Sequence, residues 1–212
     1  MTEKIITFEN VSKSFGAITA LENVNISVDQ GEFLALVGPS GCGKSTILRI
    51  ASGLDYPSLG SMNTNTKKVG YVFQDSTLMP WRTVRKNIEF LAELEKIDKK
   101  IIKKKANAII ELVGLQDFSE HYPIALSGGM KMRASLARSL VLEPELFLFD
   151  EPFGALDLIT RGRLNVELMQ LYNYKKFTSL FVTHSVEEAL FLSSRVLVFS
   201  GRPGTIKGEF VV

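Results

Sequence analysis

The nine residues Gly38-Pro39-Ser40-Gly41-Cys42-Gly43-Lys44-Ser45-Thr46 constrain this chain more than any other feature. They match the pattern GxxxxGK[ST], in which glycines let the backbone fold tightly so that successive N–H groups point at phosphate oxygens. The flanking residues fit the same unit. An apolar run, Phe33 to Val37, ends just before Gly38, and a helical stripe of Ile47, Leu48 and Ala51 starts at Lys44 and stops at Gly53. A strand, a tight turn and a helix with its positive amino end at that turn form an anion site. Lys44 is expected to hold the β- and γ-phosphates of a nucleotide, and the Ser45 hydroxyl to ligate Mg²⁺.

Around this unit the chain reads as α/β. Strand-like runs lie at Ile5 to Phe8, Ile26 to Val28, Val69 to Phe73, Leu146 to Phe149, Ser179 to Val182 and Val196 to Phe199. Several lack polar alternation, as expected of strands buried on both faces of a sheet. Between Lys99 and Val113, residues Ile102, Ala106, Ile109, Ile110 and Val113 make one apolar helical stripe. Lys99, Lys100, Lys103, Lys104 and Lys105 fall on the opposite face, expected to be solvated, with acidic lipid headgroups as the alternative contact. Ser61 to Lys68 is polar and reads as a short exposed connection.

Composition removes other classes. With 45% hydrophobic and 23% charged residues over 212 positions, disordered and fibrous chains are excluded. A net charge of +2 favours neither nucleic acid nor an acidic tail. A single domain of residues 1–212 is expected, with about 70% of the unfolded surface buried. No apolar run approaches the roughly 18 residues that span a bilayer, so this chain alone is no channel. No apolar leader follows Met1-Thr2-Glu3-Lys4, which points to the cytoplasm. The single cysteine, Cys42, lies in the glycine-rich turn. It either contributes only backbone there or is an alkylation target whose modification blocks ATP binding.

Two further motifs carry chemistry. Leu146-Phe147-Leu148-Phe149 runs into Asp150-Glu151, so an apolar strand ends in two carboxylates. Asp150 is suited to the Mg²⁺ shell and Glu151 to polarising water as a general base, against the plain alternative of a solvated turn before Pro152. Leu126-Ser127-Gly128-Gly129-Met130 precedes a helical pattern, so Ser127 is a candidate N-cap and the helix start a second anion site. Two anion sites of different make on one chain suggest that one serves a neighbouring subunit's ligand.

On these motifs, with Leu126 to Met130 standing where an LSGGQ-type signature stands, the chain resembles the nucleotide-binding subunit of an ATP-binding-cassette (ABC) transporter over essentially its whole length. The resemblance implies a phosphate-loop NTPase (RecA-like) core with an antiparallel β subdomain and an inserted helical subdomain at about residues 76–144. It implies that Phe15 stacks on adenine, where tyrosine is usual and core packing is the alternative. Gln74 would sit near Mg²⁺ and the attacking water, His184 would reach the γ-phosphate, and Asp157 would contact a partner subunit. Leu78-Met79-Pro80-Trp81-Arg82-Thr83-Val84 and Tyr122-Pro123 resemble segments of importers for nitrate, sulfonate and taurine. Trp81 is there either a contact for a membrane subunit or a core residue.

The implied assembly is a homodimer or pseudo-dimer, with ATP and Mg²⁺ between Lys44, Ser45 and Asp150 of one chain and Ser127, Gly128, Gly129 and Met130 of the other. It would sit at the cytoplasmic face of a membrane on integral permease subunits, served indirectly by a solute-binding protein and contacting no nucleic acid. A non-transport cytoplasmic ATPase and a nucleotide sensor without turnover are the rival readings. The chain departs from the family at Lys131 and Met132, in a short Gly60 to Val69 connection that would trim the antiparallel subdomain, and in stopping at Val212, soon after Arg202-Pro203-Gly204, without a regulatory extension.

Overall fold

The computed structural model describes residues 3–212. Strands β1 (Lys4–Phe15) and β2 (Ile18–Asp29) form an antiparallel hairpin, and β4 (Leu59–Thr64) pairs with the other edge of β1, giving a three-stranded sheet. The second sheet has six strands in the order β5-β6-β7-β3-β8-β9. Its members are β3 (Phe33–Val37), β5 (Val69–Val72), β6 (Leu146–Asp150), β7 (Thr178–Thr183), β8 (Arg195–Phe199) and β9 (Ile206–Val211), all parallel except β9. Helix α1 (Lys44–Ala51) follows β3, α2 (Val84–Leu94), α3 (Lys99–Leu112) and α4 (Gly128–Leu140) lie between β5 and β6, and α5 (Leu158–Lys175) and α6 (Val186–Leu192) flank β7.

The parallel strands are buried along nearly their whole length, and the period of two sorts their side chains by type. In Leu146-Phe147-Leu148-Phe149 the leucines face one core and the phenylalanines the other. Phe33, Phe147, Phe149, Phe177 and Phe181 pack with α2 to α5, with neighbouring ring centroids 4.5 to 6.5 Å apart. Leu34, Leu36, Leu148, Leu180 and Val182 pack against α1 and the hairpin. One sheet thus separates an aromatic core from an aliphatic one.

Every α-helix except α1, which starts at Gly43, begins on a side-chain cap. Thr83 accepts from the Lys86 N–H, Asp98 from Lys100, Ser127 from Met130 and Ser185 from Glu188, satisfying donors that a helix start leaves orphaned. In α3, Ile102, Ala106, Ile109 and Ile110 are buried, while Lys99, Lys100, Lys103 and Lys104 are solvated and Lys105 pairs with Glu143.

Several boundaries differ from expectation. Ile5 to Phe8 and Ile26 to Val28 are pieces of two twelve-residue strands; the hairpin's outer positions are polar, which hid its length. The expected exposed connection Ser61 to Lys68 begins in strand β4, an edge strand whose polar side chains face water while its backbone pairs with β1. Strand β9 is also an edge strand; Lys207-Gly208-Glu209 interrupts its apolar residues, and Phe210 and Val211 are exposed.

Phe181 is fully buried, with ring centroids 5.7 Å from both Phe33 and Phe149. Phe181→Ala should cost about 3–5 kcal/mol of stability, read as a lower urea midpoint at unchanged slope.

Candidate active site

The phosphate loop follows β3 because the chain reverses between Val37 and Lys44 through two left-handed glycines, Gly41 and Gly43 (φ 74° and 100°). At Gly43 no other residue fits, since a Cβ would lie 2.6 Å from Leu21 Cδ2 and 2.8 Å from the Ala20 carbonyl. Lys44 is buried, and its ammonium donates to the carbonyls of Gly38 (2.7 Å) and Pro39 (2.9 Å). Cys42 is also buried, its Sγ 3.7 Å from Lys44 Nζ, so its thiol is a packing group shielded from solvent, against the alkylation alternative.

A pocket of about 330 Å³ opens beside the loop. Gly43, Lys44, Ser45 and Thr46 line one side, and Phe15, Ile18, Glu151 and Arg202 border it. Phe15 is half exposed, with Lys13 Nζ 4.9 Å from its ring centroid. It is therefore a surface ring at the pocket mouth and not a core residue.

Because β6, β7 and β3 are neighbours, with Asp150 paired to Val182 and Val37 to Thr183, three distant segments end at one sheet edge. The Ser45 hydroxyl donates to Asp150 Oδ1 (2.7 Å), and the Tyr71 hydroxyl donates to Oδ2 (3.2 Å). Burial pushes the Asp150 carboxyl above its usual range, and these two hydrogen bonds oppose that shift. Burial and the Asp150 charge push the Tyr71 phenol up as well. Glu151 sits at a positive φ of 45°, its N–H bonded to Val182 and its Oε2 3.1 Å from His184 Nδ1. Gln74 reaches the same spot: its Nε2 and Glu151 Oε2 both lie 3.6 Å from the point a Cβ on Gly154 would occupy. Lys44, Ser45, Gln74, Asp150, Glu151 and His184 thus converge.

The second anion site does not join them. Ser127 caps α4, and Gly128 and Gly129 pack so closely on Leu156 and Thr160 that a Cβ would lie 3.0 and 2.9 Å from those side chains. Ser127 and Gly128 are exposed, and none of Ser127 to Met130 borders the phosphate-loop pocket. Asp157 caps α5, accepting from the Thr160 and Ile159 N–H groups, which hold its carboxyl below its usual range. Behind it, Arg161 donates to the carbonyls of Leu156 (3.2 Å) and Gly154 (3.4 Å) and faces Glu188 at 3.7 Å. Glu188 in turn accepts from Thr183 Oγ1 (2.5 Å), the residue before His184. Sequence reasoning missed Tyr71 and Arg202, whose partners lie 79 and 161 positions away, and Arg161 and Glu188, whose partners are nearby but follow no motif spacing.

The segment after Gln74 is held rigidly from within. Arg138 donates to the carbonyls of Ser76 and Thr77, and the buried Asn87 bonds Met79, Arg82 and Thr83. On this clamped loop Trp81 is 71% exposed, which excludes the core alternative.

A family model described as ABC transporter matches residues 21–154. The chain belongs to the ABC transporter family. An uncharacterised ABC transporter ATP-binding protein of Methanocaldococcus jannaschii is 49% identical over 210 residues, covering 94% of this chain and 79% of that protein. The nitrate import ATP-binding protein of a Synechocystis species is 45% identical over 204 residues, covering 93% and 77%. A bacterial ABC transporter cassette solved as a dimer superposes with a TM-score of 0.86 at 31% identity, 98% of each chain being covered. In a post-hydrolysis state bound to ADP and Pi that cassette superposes at 0.84. The chain has the phosphate-loop NTPase fold and is the ATP-binding, ATP-hydrolysing subunit of a transporter of this family.

The donor set of this ABC ATPase suits a hard cation. A hydroxyl and a carboxylate 2.7 Å apart offer oxygen ligands, and no group of three or more His, Cys, Asp or Glu among the described residues could cage a metal without help. Mg²⁺ is held in that manner, by one or two protein oxygens plus phosphates.

Since the Asp150 carboxyl is raised, the native state favours its protonated form more than the unfolded chain does. Stability from this group is greatest below the ordinary carboxylate range and is lost as pH rises through the raised value. Asp150→Asn should therefore raise the thermal midpoint at pH 7, with the gain shrinking toward pH 4. Melting curves at the two pH values check it.

Proposed function

We propose that this ATPase energises uptake of a small solute such as nitrate, a sulfonate or taurine, as one half of a head-to-tail dimer bound to integral membrane permease subunits. The observation that carries the dimer is the division of anion-binding groups described above. Lys44, Ser45 and Asp150 share one pocket, while Ser127, Gly128 and Gly129 present a capped helix start elsewhere. In the dimer each helix start, with Met130, meets the ATP held by the partner chain, and Asp157 lies against the partner. Residues 1–212 act as one ABC ATPase domain whose residues 76–144 form the helical subdomain.

In this reading the N–H groups of Gly38 to Thr46 cradle the phosphates, and Lys44 exchanges its loop carbonyls for the β- and γ-phosphate oxygens. Phe15 stacks on adenine. Ser45, Asp150 and Gln74 would hold Mg²⁺, which supplies charge neutralisation on the phosphates when bound. Glu151 orients and deprotonates the attacking water, and His184, already hydrogen-bonded to Glu151, turns to the γ-phosphate, where its N–H stabilises developing charge. Trp81 and its clamped loop receive the permease at the cytoplasmic face of the membrane, and a solute-binding protein delivers cargo to the permease from the other side. The nitrate relative and the resemblance at Leu78 to Val84 support import and this solute class.

Glu151→Gln should slow hydrolysis by at least about 100-fold and trap an ATP-bound dimer. Size-exclusion chromatography with ATP decides the point: a variant that stays monomeric overturns the sandwich. Trp81→Ala should leave the isolated subunit's ATPase rate within twofold and weaken permease capture about 30-fold, the effect of losing a contact hot spot worth roughly 2 kcal/mol. Pull-down from membranes measures that loss, and undiminished capture assigns docking to another surface.

A further inference from the structure

The turn joining β8 to β9 touches the phosphate loop, although no motif marks it. Its backbone is fastened on two sides. Gly204 donates to the Ala20 carbonyl (2.9 Å) and accepts from the Glu22 N–H (3.1 Å), which ties the turn to β2. On its other side Gly204 lies so near the loop that a Cβ would come within 2.0 Å of the Cys42 carbonyl. Ser200 closes the turn internally, its hydroxyl accepting from the Thr205 N–H (2.9 Å). The side chain carried at the tip is Arg202, and both its Nε and its Nη2 donate to the Gly41 carbonyl, at 3.2 and 3.1 Å.

The Gly41 carbonyl is a consequential acceptor. The phosphate loop works by presenting N–H groups to phosphate, and two cations take up three of its carbonyls. Lys44 takes Gly38 and Pro39, and Arg202 takes Gly41. A guanidinium on the Gly41 carbonyl polarises the Gly41–Cys42 peptide and makes the Cys42 N–H, which here closes the loop by donating to the Pro39 carbonyl (3.4 Å), a stronger donor, because hydrogen bonds in a chain reinforce one another. It also fixes the left-handed Gly41, so that less loop entropy is lost when phosphate binds. A guanidinium has five N–H donors, and Gly41 uses two. The rest lie on an exposed side chain that borders the same pocket as Phe15, Lys44 and Thr46.

We infer that Arg202 is a positioning residue of the nucleotide site: it holds the crest of the phosphate loop in its phosphate-binding form and adds a positive charge at the pocket rim. Its target is the polyphosphate, whatever the base. This role rests on the phosphate loop being the ATP site.

Fluorescent-nucleotide titration of the intact chain, with kinetics alongside, tests the role. Arg202→Ala should weaken ATP and ADP binding about tenfold, the factor for one charge-assisted contact, and leave adenosine binding unchanged. KM should rise in step while kcat at saturation stays within twofold. Arg202→Lys, which keeps the charge and loses the two-pronged contact, should fall between. The thermal midpoint without nucleotide should stay within about 2 °C of the wild type, less than a 1 kcal/mol loss would give. Unchanged ATP affinity in Arg202→Ala overturns the role, as does equal weakening for adenosine or a fall in nucleotide-free stability that accounts for the whole effect. A wild-type chain that fails to bind ATP would instead reject the site on which the role depends.

Discussion

Parallel pairing of β7 with β3 on one side and β6 on the other fixes where three sequence-distant segments end. Neighbouring parallel strands run the same way, so the loop after Val37, the Asp150-Glu151 pair and His184 leave the sheet at one edge. The register is specified from both faces. Slipping any of these strands by one residue would exchange phenylalanine for leucine and push rings into the space shaped for aliphatic side chains around α1. The chemistry at the edge is therefore only as well aligned as the two cores beneath it.

That edge is built at a cost to the fold. Lys44 is 4% exposed, with loop carbonyls as acceptors and no carboxylate paired to it, and Asp150 is partly buried beside Glu151. Buried charge is unfavourable unless hydrogen-bonded, and here the Gly38 and Pro39 carbonyls and the Ser45 and Tyr71 hydroxyls supply those bonds. Glu151 adds a left-handed backbone that few non-glycine residues adopt. Polar side chains around the site carry the compensation. Asn87, Arg138 and Arg161 each bond two or more backbone carbonyls in the loops around it.

What could be read from sequence follows from how local each signal is. The phosphate loop, the apolar run of β6, the carboxylates after it and the Ser127 cap are written in adjacent residues and stand where expected. The edge strands β4 and β9 were not readable, because their order comes from backbone pairing while their side chains look like loop. Tyr71, Arg161, Glu188 and Arg202 were not readable either. A hydroxyl closing on a carboxylate 79 positions away has no spacing rule. For Cys42 the sequence left two roles open, and burial of its thiol under the loop decides against the alkylation target.

Strands β5 and β6 are adjacent and in register, Val69 to Val72 against Leu146 to Phe149, although some seventy residues separate them. The chain leaves the sheet at Val72, builds α2, α3 and α4, and returns one strand over. Both attachment points are held by the sheet itself, so the length and content of the excursion are decoupled from the geometry of the carboxylates. The fold is in this sense a socket. The inserted helices can change in length and surface while the strands on which the phosphate chemistry depends stay where they are.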